Sequence, residues 1–321
     1  MRPSRTPRGF RLVLCPVDFS AHARRALRYA AALAHDSGGR IVVLFVQDPL
    51  LLAAAARIHT EQAFASTVDK ELRRFVATSL AHSGFAPKSI DYRVGRGAPA
   101  ATIDATARAL RCDLIVMGTH GLSGVKRLFF GSTTRAVLRR ASRPVFAVPK
   151  LDRTRRHHAP RLDTWAGTRV IAPVDWNAGH EADVRAAVDV ARRFHTTLLL
   201  LHVVPLTIPP PWFRAHPERY DRVRTRHASE RLARLASKFG QGVRISYRAV
   251  LGDPADEIAA VAADGRASLI VMTLRPGELW GATRGAIAYH VLCEGVSPVL
   301  ALPLGWRAAR VRKKAGTAGR G

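Results

Sequence analysis

Cysteine is scarce in this chain of 321 residues. The three cysteines, Cys15, Cys112 and Cys293, are far apart, odd in number and each set beside apolar residues. This usage argues against a disulfide framework, and we expect reduced, mostly buried thiols. The 13 histidines are scattered, and no spacing of Cys and His resembles a zinc site, so we expect no metal site made of these side chains.

Long apolar runs are also missing. No run approaches the ~20 residues that a membrane helix needs, and the first apolar stretch ends at Asp18, too early for a secretory signal. Hydrophobic residues make up 47% and charged residues 23% of the sequence, which is typical of globular rather than disordered proteins. We therefore expect a cytoplasmic protein without a membrane partner.

Acidic residues are few, with 24 Asp and Glu against 51 Lys and Arg, which gives a net charge of +27. Much of the excess lies in three segments, 1–11, 150–169 and 307–321. Such a charge predicts nonspecific attraction to polyanions at low salt. Only seven of the basic residues are lysine, and so general an arginine bias is also what a biased genome composition produces. Binding of nucleic acid through the arginine-rich tails is kept as an alternative function.

The chain consists of two similar halves, because short segments recur in the same order. The matched pairs are PVDFSA with PVDWNA, GRGAPAATI with LGDPADEI, CDLIVMG with SLIVMT, and SRPVFAVP with SPVLALP. Pro16 and Pro173 are 157 residues apart, and Met117 and Met272 are 155 apart. A nearly constant offset indicates two copies of one domain. We place the first domain at 1–150, a basic linker at 151–168, the second domain at 169–306 and a basic tail at 307–321.

Each half alternates short apolar runs with longer amphipathic ones. In the first half VLCPV, IVVLFV, LIVM and PVFAVP read as strands, and HARRALRYAAALA carries an apolar stripe at helical spacing. Further helices are predicted over 60–83, 98–110 and 132–141. This alternation predicts an α/β fold of two tandem, doubly wound parallel-sheet domains. Such sheets bind ligands beyond the carboxyl ends of their strands, where the strand order reverses.

The segment 118–135, GTHGLSGVKRLFFGSTTR, follows the strand LIVM and leads into a helix. Its glycines allow close approach of the backbone to a ligand. Ser132 and Thr133 are residue types that cap a helix N-terminus, and such an end attracts anions. The pattern G-x4-G-K-[ST] is absent, so the segment is not the phosphate loop of P-loop NTPases. From composition alone, an ordinary glycine-rich surface loop remains an alternative.

The spacing of this segment, G-x2-G-x9-G-[ST], resembles the nucleotide loop of the universal stress protein family in its ATP-binding branch. The segments PVDFS, GAPA, VMGTHG and SRPVFAVP resemble the same family, and the resemblance covers nearly the whole chain, twice. It implies a Rossmann-like fold, similar to that of adenine nucleotide alpha-hydrolases, and a protein that binds ATP, with Mg²⁺.

The resemblance also implies roles for eight residues. Asp18 and the backbone of Val46 would meet the adenine, and Pro16 would shape the ribose side. Gly118 and Gly121 would line the ribose and the α-phosphate. The β- and γ-phosphates would be held by the remaining residues, Gly131, Ser132 and Thr133. For Asp18, a role that only caps a turn remains the alternative.

The second half departs from this pattern at the loop. It keeps Pro173, Asp175 and Val203, but Thr273 stands at the place of Gly118. Ala286 and Ile287 replace the two hydroxyl residues, and Pro276 lies in the loop, where it lacks a backbone donor. We therefore expect weak ATP binding or none in the second half.

The expected function is that of a nucleotide-binding stress regulator and not of an enzyme. No residue is expected to be catalytic. His120 is the nearest candidate for a catalytic base, with a role as an ordinary loop histidine favoured over it. Slow ATP hydrolysis and adenylate-forming catalysis are kept as alternatives.

The two halves are expected to pack against each other as a pseudo-dimer within one chain. Their closing strands, PVFAVP and PVLALP, would form the seam, because an unpaired edge strand is a liability. Whether two chains associate further is left open by the sequence.

Overall fold

The computed structural model describes most of the chain outside its ends and several loops. The described residues are 10–35, 37–49, 52–53, 61–81, 83–120, 131–150, 169–176, 179–207, 212, 217–264, 267–274, 287, 291–292 and 297–307. The predicted linker, the basic segments 1–9 and 308–321, Cys293 and most of the second-half loop lie outside this part.

The elements of the first half that the structure describes alternate between strands and α-helices. In chain order these are β1 Leu12–Val17, α1 Ala21–His35, β2 Arg40–Gln47, α2 Glu61–Leu80, β3 Ile90–Arg96, α3 Pro99–Ala109, β4 Leu114–Gly118, α4 Ser132–Arg140 and β5 Val145–Val148. Pro99 occupies the first turn of α3, where a proline lacks only a donor that would have no partner in the helix.

The second half repeats this order up to its fourth strand, and most of the segment between its fourth and fifth strands lies outside the described residues. Its elements are β6 Arg169–Pro173, α5 His180–Arg193, β7 Thr197–Val204, α6 Pro217–Phe239, β8 Ile245–Leu251, α7 Pro254–Ala263, β9 Ala267–Leu274 and β10 Val299–Pro303. Asp253 caps α7 by accepting hydrogen bonds from the N–H groups of Ala255 and Asp256. None of the helices in the described part of the chain is long and apolar enough to cross a membrane.

All ten described strands form one sheet in the order β3-β2-β1-β4-β5-β10-β9-β6-β7-β8. Pairing within each half is parallel, and β5 pairs with β10 in antiparallel register, Phe146 opposite Leu300. The predicted fold class and the predicted seam between the closing strands are confirmed. Because the junction is antiparallel, the strands of the two halves point in opposite directions, and their carboxyl ends lie at opposite edges of the sheet.

The core is divided by the sheet into two apolar layers. One layer packs α1, α2, α5 and α6, with Leu27 and Leu232 among its buried residues. The other packs α3, α4 and α7, with Ile103 and Ile258. Both layers contain residues of both halves, so the core crosses the seam. Buried strands with apolar side chains on both faces are what a parallel sheet covered by helices requires.

The two described cysteines are buried and free, as predicted for a chain without a disulfide framework. Burial raises the pKa of Cys15 far above its ordinary value and that of Cys112 to about 11. Both side chains are therefore neutral thiols that pack as small apolar groups.

Candidate functional site

A cavity of about 300 Å³ opens at the carboxyl ends of β1, β2 and β4. Along the chain β1 is followed by β2 on one side, whereas β4 pairs with the other side of β1, so the strand order reverses here. This is the place at which doubly wound sheets bind ligands.

The wall of the cavity is apolar on one side and polar on the other. Apolar side chains from β2, α3 and β4 line one part, namely Leu44, Val46, Ile103 and Met117. The N-terminus of α4 lines another part, with Gly131, Ser132, Thr133 and Thr134. The cavity thus places an apolar surface near a group of hydroxyls and backbone N–H groups, which suits a ligand with an aromatic and an anionic end.

Asp18 reaches the cavity from the turn between β1 and α1. Its carboxylate accepts a hydrogen bond of 3.1 Å from the N–H of Ser20, and the Ser20 hydroxyl accepts one of 3.0 Å from Ala23 N–H at the start of α1. Phe19 between them has a φ of +63°, a left-handed conformation that non-glycine residues rarely adopt. Asp18 therefore braces a strained turn and lines the cavity at once.

Two hydrogen bonds fix the start of α4 against the end of β4. The N–H of Gly131 donates to the Thr119 carbonyl at 2.7 Å, and the Thr134 hydroxyl donates to the Gly118 carbonyl at 2.7 Å. Ser132 and Thr133 belong to residue types that often cap a helix, but neither is the N-cap residue here. Gly131 is the N-cap residue, and no side chain caps the helix. The hydroxyls of Ser132 and Thr133 are consequently not used as caps at this end of the cavity.

Close packing favours glycine at two of the predicted positions. A Cβ atom at Gly118 would lie 3.1 Å from the His22 Cβ and 3.3 Å from the His120 carbonyl oxygen. A Cβ atom at Gly131 would lie 3.2 Å from the Thr119 carbonyl oxygen. Larger residues would push the loop ends apart and change the shape of the cavity.

His120 and His22 form a pair beside the cavity, with ring centroids 5.5 Å apart. His120 lines the cavity itself, and its Nδ1 lies 2.9 Å from the Thr119 hydroxyl. Burial and the neighbouring Lys150 lower the pKa of His22, and burial and His22 lower that of His120. Both rings are thus neutral at neutral pH, and the positive charge nearby comes from Lys150 and from Arg25.

At the positions that match Gly118 and His22, the second half has the large and the small residue in the opposite order. Thr273 pairs with Leu302 on β10 as Gly118 pairs with Val148 on β5, which confirms that the two positions match. The residue that corresponds to His22 is Gly179, with a φ of +112°. The larger residue at the strand end of the second half is therefore matched by a glycine at the helix start.

A second difference concerns three side chains that pack together in each half: one just after the first strand, one on the second strand and one on the second helix. In the first half they are Phe19, Phe45 and Phe75, with the Phe19 ring 4.9 Å from Phe45 and 5.5 Å from Phe75. At the matched positions of the second half are Trp176, His202 and Arg231. The Trp176 Nε1–H donates to His202 Nε2 at 3.0 Å, and the Arg231 guanidinium lies 3.9 Å above the indole ring. An apolar cluster is thus replaced by a polar one.

The structure brings together seven of the eight residues expected at the site. Pro16, Asp18, Val46, Gly118, Gly131, Ser132 and Thr133 all line the cavity. Gly121 and the basic loop residues Lys126 and Arg127 lie outside the described residues. The sequence analysis did not identify the apolar part of the cavity wall, made by Leu44, Ile103 and Met117. It also did not identify the hydrogen bond by which Thr134 holds α4 against β4. The three apolar residues looked like ordinary core positions, and the only signal for Thr134 was its place in the GSTT run.

Comparison with known proteins identifies relatives for each half and for the whole chain. A family model described as the universal stress protein family matches residues 9–149 and 168–303. A universal stress protein of Thermus aquaticus is 34% identical over 142 residues, which cover 43% of this chain and 98% of the relative. One of Mycolicibacterium smegmatis is 24% identical over 301 residues, with 90% and 95% covered.

A solved structure has the same fold over most of the chain. The crystal structure of a universal stress protein from Archaeoglobus fulgidus superposes with a TM-score of 0.59 and covers 91% of this chain and 96% of its own. The two sequences are 19% identical, so the likeness concerns the fold alone.

Proposed function

Because this chain belongs to the universal stress protein family, we propose that its first half binds ATP and that the protein is a cytoplasmic, nucleotide-dependent regulator of the stress response. The observation that carries the proposal is the cavity of about 300 Å³ at the strand-order reversal of the first half. Its size lies at the lower end of the range for small-molecule sites.

The cavity supports a definite orientation of the nucleotide. We place the adenine against the apolar wall near Val46 with Asp18 as a polar partner, and the ribose near Pro16 and Gly118. The phosphates would lie at Gly131, Ser132 and Thr133, and Gly121 would complete the loop. Helix N–H groups, the positive end of the helix dipole and free hydroxyls favour phosphate at that end.

Magnesium would enter the site with the nucleotide. Among the described residues, no group of three or more His, Cys, Asp or Glu side chains could hold a metal ion. Mg²⁺ needs few protein ligands when phosphates and waters coordinate it, and the hydroxyls of Ser132 and Thr133 suit such a position. We therefore propose that MgATP, rather than a metal bound in advance, is the ligand.

We propose that the bound ATP is turned over slowly or not at all. Asp18 is engaged by the turn and the Nδ1 of His120 lies against a threonine hydroxyl, so neither is arranged as a dedicated base. An ATP turnover that His120→Ala abolishes without loss of ATP binding would contradict this.

We propose that the chain divides into a first domain at 1–150, a linker at 151–168, a second domain at 169–306 and a tail at 307–321. We further propose that the second domain binds ATP weakly or not at all. Thr273 replaces a glycine at the cavity edge, and Ala286 and Ile287 replace the two hydroxyl residues. The first and second halves would then have separate tasks.

Isothermal titration calorimetry with MgATP tests the proposal on the intact protein. We expect one site per chain, and a loss of affinity of about tenfold or more in S132A/T133I, because each hydroxyl removed would have bonded a charged group. This variant copies the residues of the second half at the same positions. The matched control is S66A/T67I on the exposed face of α2, which should bind ATP as the unmodified chain does.

Gly131→Val provides an independent variant, because its side chain would press on the Thr119 carbonyl at the cavity edge. Two ATP sites per chain would show that our interpretation of the second half is wrong. Absence of ATP binding in the unmodified protein would overturn the proposed function itself.

A further inference from the structure

The excess of positive charge in this protein is not confined to its tails. Helix α6 of the second half carries seven Arg and Lys residues against three acidic ones. Its counterpart α2 in the first half carries three basic and three acidic residues. The two helices occupy equivalent positions in their halves. The fold therefore does not require a basic helix at this position, and the positive charge is specific to the surface of α6.

The arginines of α6 form a stripe along its outer face. A fifth exposed arginine, Arg231, covers the Trp176 ring. The stripe consists of the other four exposed arginines, none of which makes an ion pair with an acidic residue in the described part of the chain, namely Arg219, Arg222, Arg226 and Arg234. Their spacing of three, four and eight residues places them on one side of the helix, away from the buried Leu232 and Leu235. At 1.5 Å per residue the stripe extends about 22 Å.

The acidic residues of α6 neutralise only part of the positive charge of this stripe. Asp221 is buried and already accepts hydrogen bonds from the Thr207 hydroxyl at 2.8 Å and from Arg224 at 3.0 Å. Glu218 and Glu230 remain exposed on the helix. Four exposed guanidinium groups against two carboxylates leave a surface that attracts polyanions.

An exposed aromatic ring lies beside this helix on the edge strand β8. Tyr247 is 47% exposed, and side-chain alternation places it on the face of the sheet that α6 covers, with Ile245 and Ala249. Its counterpart in the first half is Tyr92, whose ring is covered by the Arg73 guanidinium at 4.5 Å. At the position of Arg73 the second half has Ser229, and no guanidinium among the described residues covers the Tyr247 ring.

We propose that the arginine stripe of α6, together with Tyr247 of β8, is a docking surface for single-stranded nucleic acid. Guanidinium groups pair with backbone phosphates, and an exposed tyrosine offers a ring on which a base stacks. A duplex would engage the stripe but would leave the ring without a partner. The surface is separate from the cavity of the first half, so this inference does not rest on ATP binding.

Fluorescence anisotropy with a labelled oligothymidylate of about 15 nucleotides tests the arginine stripe. We expect R219E/R226E in the full-length protein to weaken binding by about tenfold or more and to lower the salt slope by about 1.4. The control K70E/R74E on the exposed face of α2 changes the net charge by the same amount. We expect it to change the affinity by less than about twofold.

Tyr247→Ala tests whether the ligand is a nucleic acid rather than any polyanion. Loss of a stacked base should weaken oligothymidylate binding by about fivefold, whereas retention on heparin should not change. An equal loss for both ligands would overturn the nucleic-acid assignment.

Two other results would overturn the proposal as a whole. If K70E/R74E weakened binding as much as R219E/R226E, net charge alone would explain the attraction. If R310A/R312A/K313A/K314A in the full chain removed binding that R219E/R226E left intact, the tail would be the binding element. Circular dichroism of each variant shows whether the exposed substitutions leave the fold unchanged.

Discussion

His202 shows how one side chain can couple the second half to pH. Its Nε2 accepts the indole N–H of Trp176, and its Nδ1 lies 2.7 Å from the Val174 carbonyl, so the single proton of the neutral ring is on Nδ1. A second proton on Nε2 would remove the acceptor of the indole. Burial lowers the pKa of His202, Arg231 and Arg224 lower it further, and the Val174 carbonyl and Asp175 act in the opposite direction.

We therefore predict that His202→Phe, which copies Phe45 of the first half, makes stability less sensitive to acid. The pKa of His202 in the folded protein lies below its ordinary value of 6.5, so the unfolded chain takes up the proton more readily. Its contribution to the free energy of unfolding is present above that value and is lost as the pH falls toward the folded-state pKa. His22 and His120 act with the same sign and remain in the variant.

Urea unfolding at about pH 8 and about pH 5.5 measures this effect. The unmodified protein should lose more stability between the two values than His202→Phe. The exposed His227→Ala on α6 is the control and should keep the original pH dependence. An equal loss in all three proteins would show that protonation of His202 does not contribute to the acid sensitivity.

At the scale of elements, the junction of the fourth strand with the first helix is built in two alternative ways in one chain. The first half packs a glycine on β4 beside a histidine on α1. The second half has a threonine at the matched position of β9 and a glycine just before α5. A Cβ atom at Gly118 would lie 3.1 Å from the His22 Cβ, so a larger residue at position 118 requires the His22 side chain to shift.

Gly118→Thr is predicted to lower the free energy of unfolding by about 1–3 kcal/mol through overpacking against His22. Adding His22→Gly should recover part of that loss, although the added glycine itself costs about 0.5–1 kcal/mol in the helix. A double-mutant cycle by urea unfolding measures the coupling between the two positions. Strictly additive effects would mean that the two residues do not exchange space.

The elements and their order were predictable because apolar periodicity and the internal repeat agree. The two halves supply the same pattern twice, and the closing strands could be assigned to the seam for the same reason. Three details were not predictable from the sequence: the N-cap at Gly131, the hydrogen bond from Thr134 to the Gly118 carbonyl, and the packing of His22 against Gly118. Each depends on a contact between segments far apart in sequence, and composition gives no signal for which residues approach each other.

At the scale of the molecule, the two halves share one sheet and both apolar layers. Phe10, just before β1, also packs against Phe194 at the end of α5, with ring centroids 6.3 Å apart. Because of contacts of this kind, we predict that the two halves unfold together as a single cooperative unit.

The distribution of tryptophan allows a direct test of this cooperativity. All five tryptophans lie beyond residue 150, so their fluorescence reports on the linker and the second half and not on the first half. Leu27→Ala on α1 opens a cavity in the first half and should cost about 2–5 kcal/mol. We expect it to shift the unfolding midpoint followed by tryptophan fluorescence, and the midpoint by circular dichroism should coincide with it.

The matched control is Leu232→Ala on α6, a fully buried leucine of the second half. It should shift the fluorescence midpoint in the same direction. If Leu232→Ala shifts that midpoint and Leu27→Ala does not, the halves unfold separately in spite of the shared sheet.

The antiparallel pairing of β5 with β10 has a consequence for how the protein can diverge. In a dimer of identical chains every substitution appears in both subunits, and the assembly dissociates on dilution. Here the same junction is intramolecular, so it persists at any protein concentration, and a substitution in one half is not imposed on the other. The chain keeps the architecture of a twofold dimer without its symmetry, which leaves one half free to retain a ligand loop while the other acquires a surface of different chemistry.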